Sequence, residues 1–141
     1  MKTKLFFITL LTFCLLSCTK TGDEFRHYVY NRLTEDVTVA YTLDTTYYTS
    51  SAEHVQSFSQ VIPARKKHPV SMPSGYMCYT PAKNYRSFLV LNASGDTIFD
   101  ATPVEVTDNS AWKVEYETET PDKYTKIFVT NYILVIDSDD N

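Results

Sequence analysis

The chain has 141 residues, of which 43% are hydrophobic and 21% are charged, and its formal net charge is −4. This length allows one domain with a substantial core, but not two. An acidic chain gains nothing from phosphate backbones, which argues against nucleic acid as a partner. With glycine at only three positions and no Gly-x-Ser-x-Gly motif, the sequence builds neither a phosphate loop, nor a dinucleotide fingerprint, nor a nucleophile elbow.

The first eighteen residues have the form of a lipoprotein leader. Lys2 and Lys4 precede an apolar run over residues 5–16, which is too short for the ~20 residues that span a bilayer. The run ends in Leu15-Leu16-Ser17-Cys18, which resembles the lipobox of bacterial lipoproteins. That resemblance implies removal of residues 1–17, lipidation of Cys18 and anchoring to a membrane outside the cytoplasm. An ordinary secretory leader with a chance cysteine is the alternative.

The residues after the lipobox predict a tether and a location. Residues 18–24 are polar, contain a glycine and predict a flexible tether, with a single domain over residues 25–141. The acidic pair Asp23-Glu24 resembles the surface-export signal of Bacteroidota lipoproteins. We therefore expect an outer-membrane lipoprotein, at the periplasmic face or the cell surface.

Loss of the leader also changes the charge and the cysteine count. Without Lys2 and Lys4, eleven of the thirteen basic residues remain against seventeen acidic ones, a net charge of −6. Cys14 leaves with the leader and Cys18 carries lipid, so Cys78 has no partner for an intramolecular disulfide. Its apolar surroundings predict a buried, unreactive thiol.

Seven short strands are predicted in chain order, because Tyr, Thr, Val and Phe are abundant and alternate with polar residues. The alternation is clearest in the second and sixth strands, and Ala93-Ser94-Gly95-Asp96 predicts a turn. Tyr132–Ile136 is compatible with a further strand or a short helix. The pattern favours an all-β, antiparallel, immunoglobulin-like sandwich, with a small β-barrel as competitor. The predicted strands are residues 28–33, 37–43, 57–62, 85–92, 97–101, 112–119 and 124–129.

Several of these segments together resemble a family. They are Tyr30–Thr34 with the alternating strand after it, Ile62-Pro63, the hairpin around Asn92–Asp96, and Tyr124–Thr130 leading to Tyr132. The combination resembles small lipoproteins of unknown function that are common in gut Bacteroidota. The resemblance implies a β-sandwich behind a lipobox. It implies no activity, and so transfers no catalytic residue.

Two groups of residues are candidates for binding. Arg65-Lys66-Lys67-His68 is the one basic cluster and, between prolines, predicts an exposed loop that can dock an acidic partner or a sugar carboxylate. Tyr47 and Tyr48 lie in a polar run and predict loop aromatics that stack on a glycan or a peptide. A solvated loop and ordinary packing are the respective alternatives.

Other titratable residues give weaker signals. His27, His54 and His68 lack a metal-ligand spacing and are expected at the surface, so neither a metal nor a cofactor is predicted. Glu115, Glu117 and Glu119 alternate with an apolar set that begins at Trp112, which predicts a solvent-facing row.

Two short motifs resemble the O-glycosylation motif of Bacteroidota. They are Asp44-Thr45-Thr46 and Asp96-Thr97-Ile98, which make Thr45 and Thr97 candidate acceptors.

Together these features favour a non-enzymatic, lipid-anchored envelope module that binds a glycan or a protein. A structural subunit of an envelope complex, bound through a sheet edge or an apolar patch, is the first alternative. A small envelope enzyme is the second.

Overall fold

The fold is a sandwich of two four-stranded sheets. The computed structural model describes residues 20–44, 55–72, 78–103 and 111–138. Sheet A has the strand order β4-β1-β8-β7 and sheet B the order β3-β2-β5-β6, and the two sheets do not close into one. The predicted all-β sandwich is confirmed, and the competing barrel is excluded. The elements are β1 (Lys20–Asn31), β2 (Val37–Asp44), β3 (Val55–Ile62), β4 (Lys66–Pro69), α1 (Pro81–Asn84), β5 (Tyr85–Leu91), β6 (Thr97–Asp100), β7 (Trp112–Asp122) and β8 (Thr125–Ile136).

The core forms where apolar residues alternate along the strands. In β2, Val37, Val39, Tyr41 and Leu43 are buried and the residues between them are half-buried, as the period of two predicts. Burial of each such side chain stabilises the fold by about 1.5–3 kcal/mol. Between the sheets, aromatic rings pack edge-to-face and stacked, with centroids 5.0 Å apart for Phe88 and Trp112 and 5.8 Å apart for Tyr85 and Trp112.

Sheet A differs from the prediction in its pairing. β1 runs parallel to β8 over its whole length, from Lys20 opposite Thr125 to Asn31 opposite Ile136. β8 is therefore an inner strand that continues to Ile136, and its last five residues are strand and not helix. Residues 20–24, predicted as part of a flexible tether, instead form the start of β1. Backbone hydrogen bonds to β8 hold these residues as strand although their side chains are mostly polar.

The hairpin from β5 to β6 follows its predicted turn. Gly95 has a φ of 86°, in the left-handed region that favours glycine. The Asn92 side-chain oxygen accepts hydrogen bonds from the backbone amides of Ser94 and Asp96, at 3.0 and 2.9 Å. The turn is thus fixed by local chemistry that the sequence displays.

In the described ranges, sheet A extends beyond sheet B, and part of its core-facing side is exposed there. Tyr85 of sheet B contacts His27 and Trp112 in sheet A. Beyond that level, the three long strands of sheet A continue over residues 20–26, 114–122 and 125–131. We call this part of sheet A the overhang. Its face that continues the core-facing side contains Tyr116 and Phe128, both exposed.

Candidate functional site

The basic cluster is exposed but is not a loop. Arg65 lies in a turn with a φ of 59°, and Lys66, Lys67 and His68 belong to the edge strand β4. The loop prediction is wrong for these three residues because β4 pairs with β1. Lys67 is already engaged, since its ammonium lies 4.6 Å from the centroid of the Tyr28 ring. Arg65, Lys66 and Lys67 are all exposed.

Tyr47, Tyr48 and Thr45 lie outside the residues that the structure describes, as does Cys18. The segment that contains the tyrosines leaves β2 at Asp44, whereas Arg65 follows β3 at its far end. Since β2 and β3 pair antiparallel along eight residues, these points lie at opposite ends of sheet B.

Thr97, the second candidate for glycosylation, is placed by the structure. It is the first residue of β6 and its side chain is exposed. It directly follows the Asn92–Asp96 turn.

His27 is buried, and the prediction of a surface position is wrong. Only 3% of its surface is exposed. Nε2 lies 2.6 Å from the Tyr79 carbonyl oxygen, which can only accept, so Nε2 carries the proton. Nδ1 then accepts from the Tyr85 hydroxyl at 2.7 Å. Burial lowers the pKa of His27 to about 4, although the hydrogen bond to Tyr79 opposes this. The neutral ring therefore connects the Tyr79 backbone to sheet A by a hydrogen bond.

Cys78 is half-buried rather than fully buried. Burial, with a smaller effect of the Glu24 charge, raises the pKa of its thiol to about 11. Since the thiolate is the nucleophile, this environment favours the unreactive thiol that the sequence predicts.

The glutamates of β7 face outward on sheet A, but they are paired and not simply solvated. Arg26 donates to Glu24 at 2.6 Å and to both carboxylate oxygens of Glu119 at 2.8 and 3.1 Å. These hydrogen bonds lower the pKa of Glu119. Asn131 donates to Glu117, and the Lys67 ammonium lies 3.9 Å from Glu115. The row therefore forms an ordered acidic border along β7.

On the opposite face of β7, the apolar residues are uncovered. Trp112 is buried, as predicted, but Val114 is 39% and Tyr116 is 80% exposed. Phe128 on the neighbouring strand is 44% exposed, and it pairs with Thr118 of β7. The described strands of sheet B end near the level of Tyr85. We call Val114, Tyr116 and Phe128 the uncovered face.

The uncovered face adjoins a long sheet edge. β7 has eleven residues and pairs only with β8 within the described part of the chain. An unpaired edge presents amide and carbonyl groups that can pair with another strand. The edge and the uncovered face together allow contact with an extended chain by backbone hydrogen bonds and apolar packing.

A small cavity lies at the other end of the sandwich. Its volume is about 250 Å³, and its lining includes Leu33, Phe99 and Ile136 together with the carboxylates of Glu35 and Asp137. Asp137 accepts a hydrogen bond from Arg32 at 3.0 Å, which occupies one of the two acidic groups.

Neither a metal site nor a membrane-spanning helix emerges from the described ranges. They contain no group of three or more His, Cys, Asp or Glu residues that could hold a metal ion. No helix within them is long and apolar enough to cross a bilayer.

Comparisons with known proteins do not assign a function to this chain. The chain matches no protein-family model, and neither the curated proteins nor the solved structures contain a match.

Proposed function

We propose that this chain is a lipid-anchored, non-enzymatic module of the cell envelope that binds a protein partner through the β7 edge and the uncovered face. The observation that carries the partner-binding part is the exposure of Tyr116, at 80%, on the strand that forms an open sheet edge. The lipobox at Leu15–Cys18 supports the anchor, since several acyl chains on one residue hold a protein durably at a membrane.

The chemistry of β7 specifies the kind of partner. An added strand lies beside Val114, Tyr116 and Thr118 on one face and beside Glu115 and Glu117 on the other. Apolar side chains suit the first face, and basic or polar side chains suit the second. We therefore expect a partner strand in which apolar and basic residues alternate. A second copy of β7 is a poor partner, because antiparallel self-pairing sets glutamates opposite glutamates.

The basic cluster lies far from the overhang. Arg65 and Lys66 are exposed, but they lie at the opposite end of β1 from the overhang, since Lys66 pairs with Asn31. A glycan partner remains an alternative for the uncovered face because Tyr116 offers an open ring for stacking. The edge favours a protein, since backbone pairing requires amides and carbonyls in register.

Photo-crosslinking in cells tests the proposal. Tyr116 is replaced by a photoreactive phenylalanine, and the control replaces Ser59, which is exposed on β3 of the other sheet. We expect one discrete protein adduct at position 116 and none at position 59, with mass spectrometry identifying an envelope protein. The substitution Val114→Glu should abolish the adduct without unfolding the chain, because Val114 is already 39% exposed.

Three outcomes contradict parts of the proposal. Equal crosslinking at positions 116 and 59 argues against a specific surface. A carbohydrate adduct at position 116 supports the glycan alternative. An intact mass without acyl chains on Cys18 rules out the lipid anchor.

A further inference from the structure

The start of β1 lies very close to the predicted lipid. Lys20 is the first residue of the strand, two residues after Cys18. A fully extended chain spans at most about 3.6 Å per residue, so the Cα atoms of these two residues are separated by no more than about 7 Å. The polar headgroup region of a bilayer has a similar thickness on each side. A chain that pairs as strand from residue 20 thus has almost no tether.

The strand register shows what else lies at this end of sheet A. Lys20 pairs with Thr125, the first residue of β8. The turn between β7 and β8, which contains Lys123 and Tyr124, directly precedes Thr125. The lipidated cysteine and this turn therefore occur at the same end of the molecule. We call Lys123, Tyr124, Thr125 and Lys126 the tip.

The tip has the chemistry of a membrane interface. Tyr124 is 49% exposed, and the Lys123 ammonium lies 4.6 Å from the centroid of its ring. The Lys126 ammonium lies 5.7 Å from the Phe128 ring. An aromatic ring with a cation beside it suits the level of the headgroups, where the ring meets the acyl boundary and the ammonium meets phosphate.

The charge of the tip contrasts with the rest of the domain. The chain after Ser17 carries a net charge of −6, with eleven basic and seventeen acidic residues, whereas the tip contains two lysines and no carboxylate. The neighbouring Asp122 is exposed, and its carboxylate is hydrogen-bonded within the turn: one oxygen accepts from the Tyr124 amide at 2.7 Å and the other from the Thr125 hydroxyl at 2.9 Å. The turn therefore presents Lys123 and Tyr124 beside a carboxylate whose two oxygens are already hydrogen-bonded.

We infer that the tip rests in the phospholipid headgroups of the membrane that holds the Cys18 acyl chains, so that sheet A stands on the bilayer instead of swinging on a tether. This inference depends on the lipid anchor of the proposed function, but not on its protein partner. The twelve residues of β1 then place the Arg32 end of the strand about 40 Å from the membrane, at about 3.3 Å per residue. Tyr116, opposite Thr130, lies only about 17 Å above Thr125.

Depth measurements on the full-length lipidated protein test this posture. The protein is reconstituted into vesicles of phosphatidylethanolamine and phosphatidylglycerol that contain a headgroup spin label. A fluorophore is attached at Thr120→Cys, near the tip, or at Ser94→Cys, in the β5–β6 turn, each in a Cys78→Ser background. Both positions are exposed. We expect strong quenching at position 120 and none at position 94.

A variant with reversed charge at the tip distinguishes contact with the headgroups from mere closeness to the membrane. Lys123→Glu, Tyr124→Ser and Lys126→Glu together should cause loss of the quenching at position 120 while the protein stays bound to the vesicles. Lys66→Glu, at the far end of β1, is the matched control and should retain the quenching. All four side chains are exposed, so folding is not expected to change.

The outcomes distinguish this inference from the proposal on which it depends. Equal quenching at positions 120 and 94, in protein whose mass confirms lipidated Cys18, overturns the tip contact and leaves the anchor intact. Unchanged quenching in the charge-reversed tip also overturns it. An unmodified Cys18 overturns the anchor and this inference together.

Discussion

Lowering the pH from 7 to 5 should destabilise the fold through one side chain, His27. In the unfolded chain its pKa is 6.5, whereas burial lowers the pKa to about 4 in the native state. Between these values the unfolded state binds a proton that the native state does not. The contribution to stability is therefore complete above pH 6.5 and is lost progressively as the pH falls towards 4.

The size of the effect follows from the two pKa values. Each pKa unit corresponds to about 1.4 kcal/mol, so the free energy of unfolding should fall by about 2 kcal/mol between pH 7 and pH 5. The measurement stops at pH 5 because Glu119 and Asp137, whose pKa values are lowered by Arg26 and Arg32, lose their stabilising charge only at more acidic pH. Above pH 5 the histidine dominates.

Urea unfolding at pH 7, 6 and 5, followed by the fluorescence of buried Trp112, measures this loss. The substitution His27→Gln keeps a donor and an acceptor but removes the titration, so its stability should be lower at pH 7 and nearly constant down to pH 5. A native protein whose urea midpoint does not change across this range, or an equal slope in His27→Gln, would refute the reasoning.

Other substitutions test the turn, the thiol and the ion pairs of sheet A. Gly95→Ala should destabilise the fold by roughly 1 kcal/mol because its φ is 86°, whereas Gly22→Ala, with no atom within 4 Å of the new Cβ, should be tolerated in the same urea assay. Iodoacetamide at pH 8 should alkylate native Cys78 more slowly than the urea-unfolded chain, because burial raises its pKa to about 11. Arg26→Met should lower stability by about 1 kcal/mol and Glu119→Gln by less, since the arginine then keeps a second carboxylate. Equal effects of the glycine variants, equal alkylation rates, or unchanged stability of Arg26→Met would contradict the respective argument.

The sequence predicts best those strands that have one buried face. β2 alternates because sheet B covers one of its sides, and the alternation identifies its residues directly. β8 is harder, since Tyr132, Ile133 and Leu134 are all buried. An inner strand with both faces covered loses the period of two, and a short apolar run is then compatible with either strand or helix.

Pairing partners account for the elements that the sequence does not reveal. β4 and the first residues of β1 are polar, and they become strands because their backbones hydrogen-bond to a neighbour, which composition does not encode. His27 is buried for a similar reason. Polar, charged and apolar residues are mixed along β1. The contact with Tyr85 of the other sheet, which helps to bury His27, is not encoded in that pattern.

The candidate site was hidden from sequence because it depends on the relative length of the two sheets. Alternation in β7 predicts that Trp112, Val114 and Tyr116 share a face, and they do. It does not predict that sheet B covers Trp112 alone. The apolar alternation that forms core in other strands therefore lies at the surface in β7. From the sequence alone, the same alternation predicts residues packed in the core.

The position of the tip restricts how a partner can reach the uncovered face. Apolar groups gain about 25 cal/mol per Å² when they leave water, so Tyr116 contributes to stability only when a partner covers it. With the tip in the headgroups, Tyr116 lies about 17 Å above them. This height is less than half the length of β1, which is about 40 Å. A partner strand that adds to β7 must then approach along the membrane surface. A component that is itself held in or on the same membrane satisfies that geometry, and its proximity to the anchor raises the effective concentration of both.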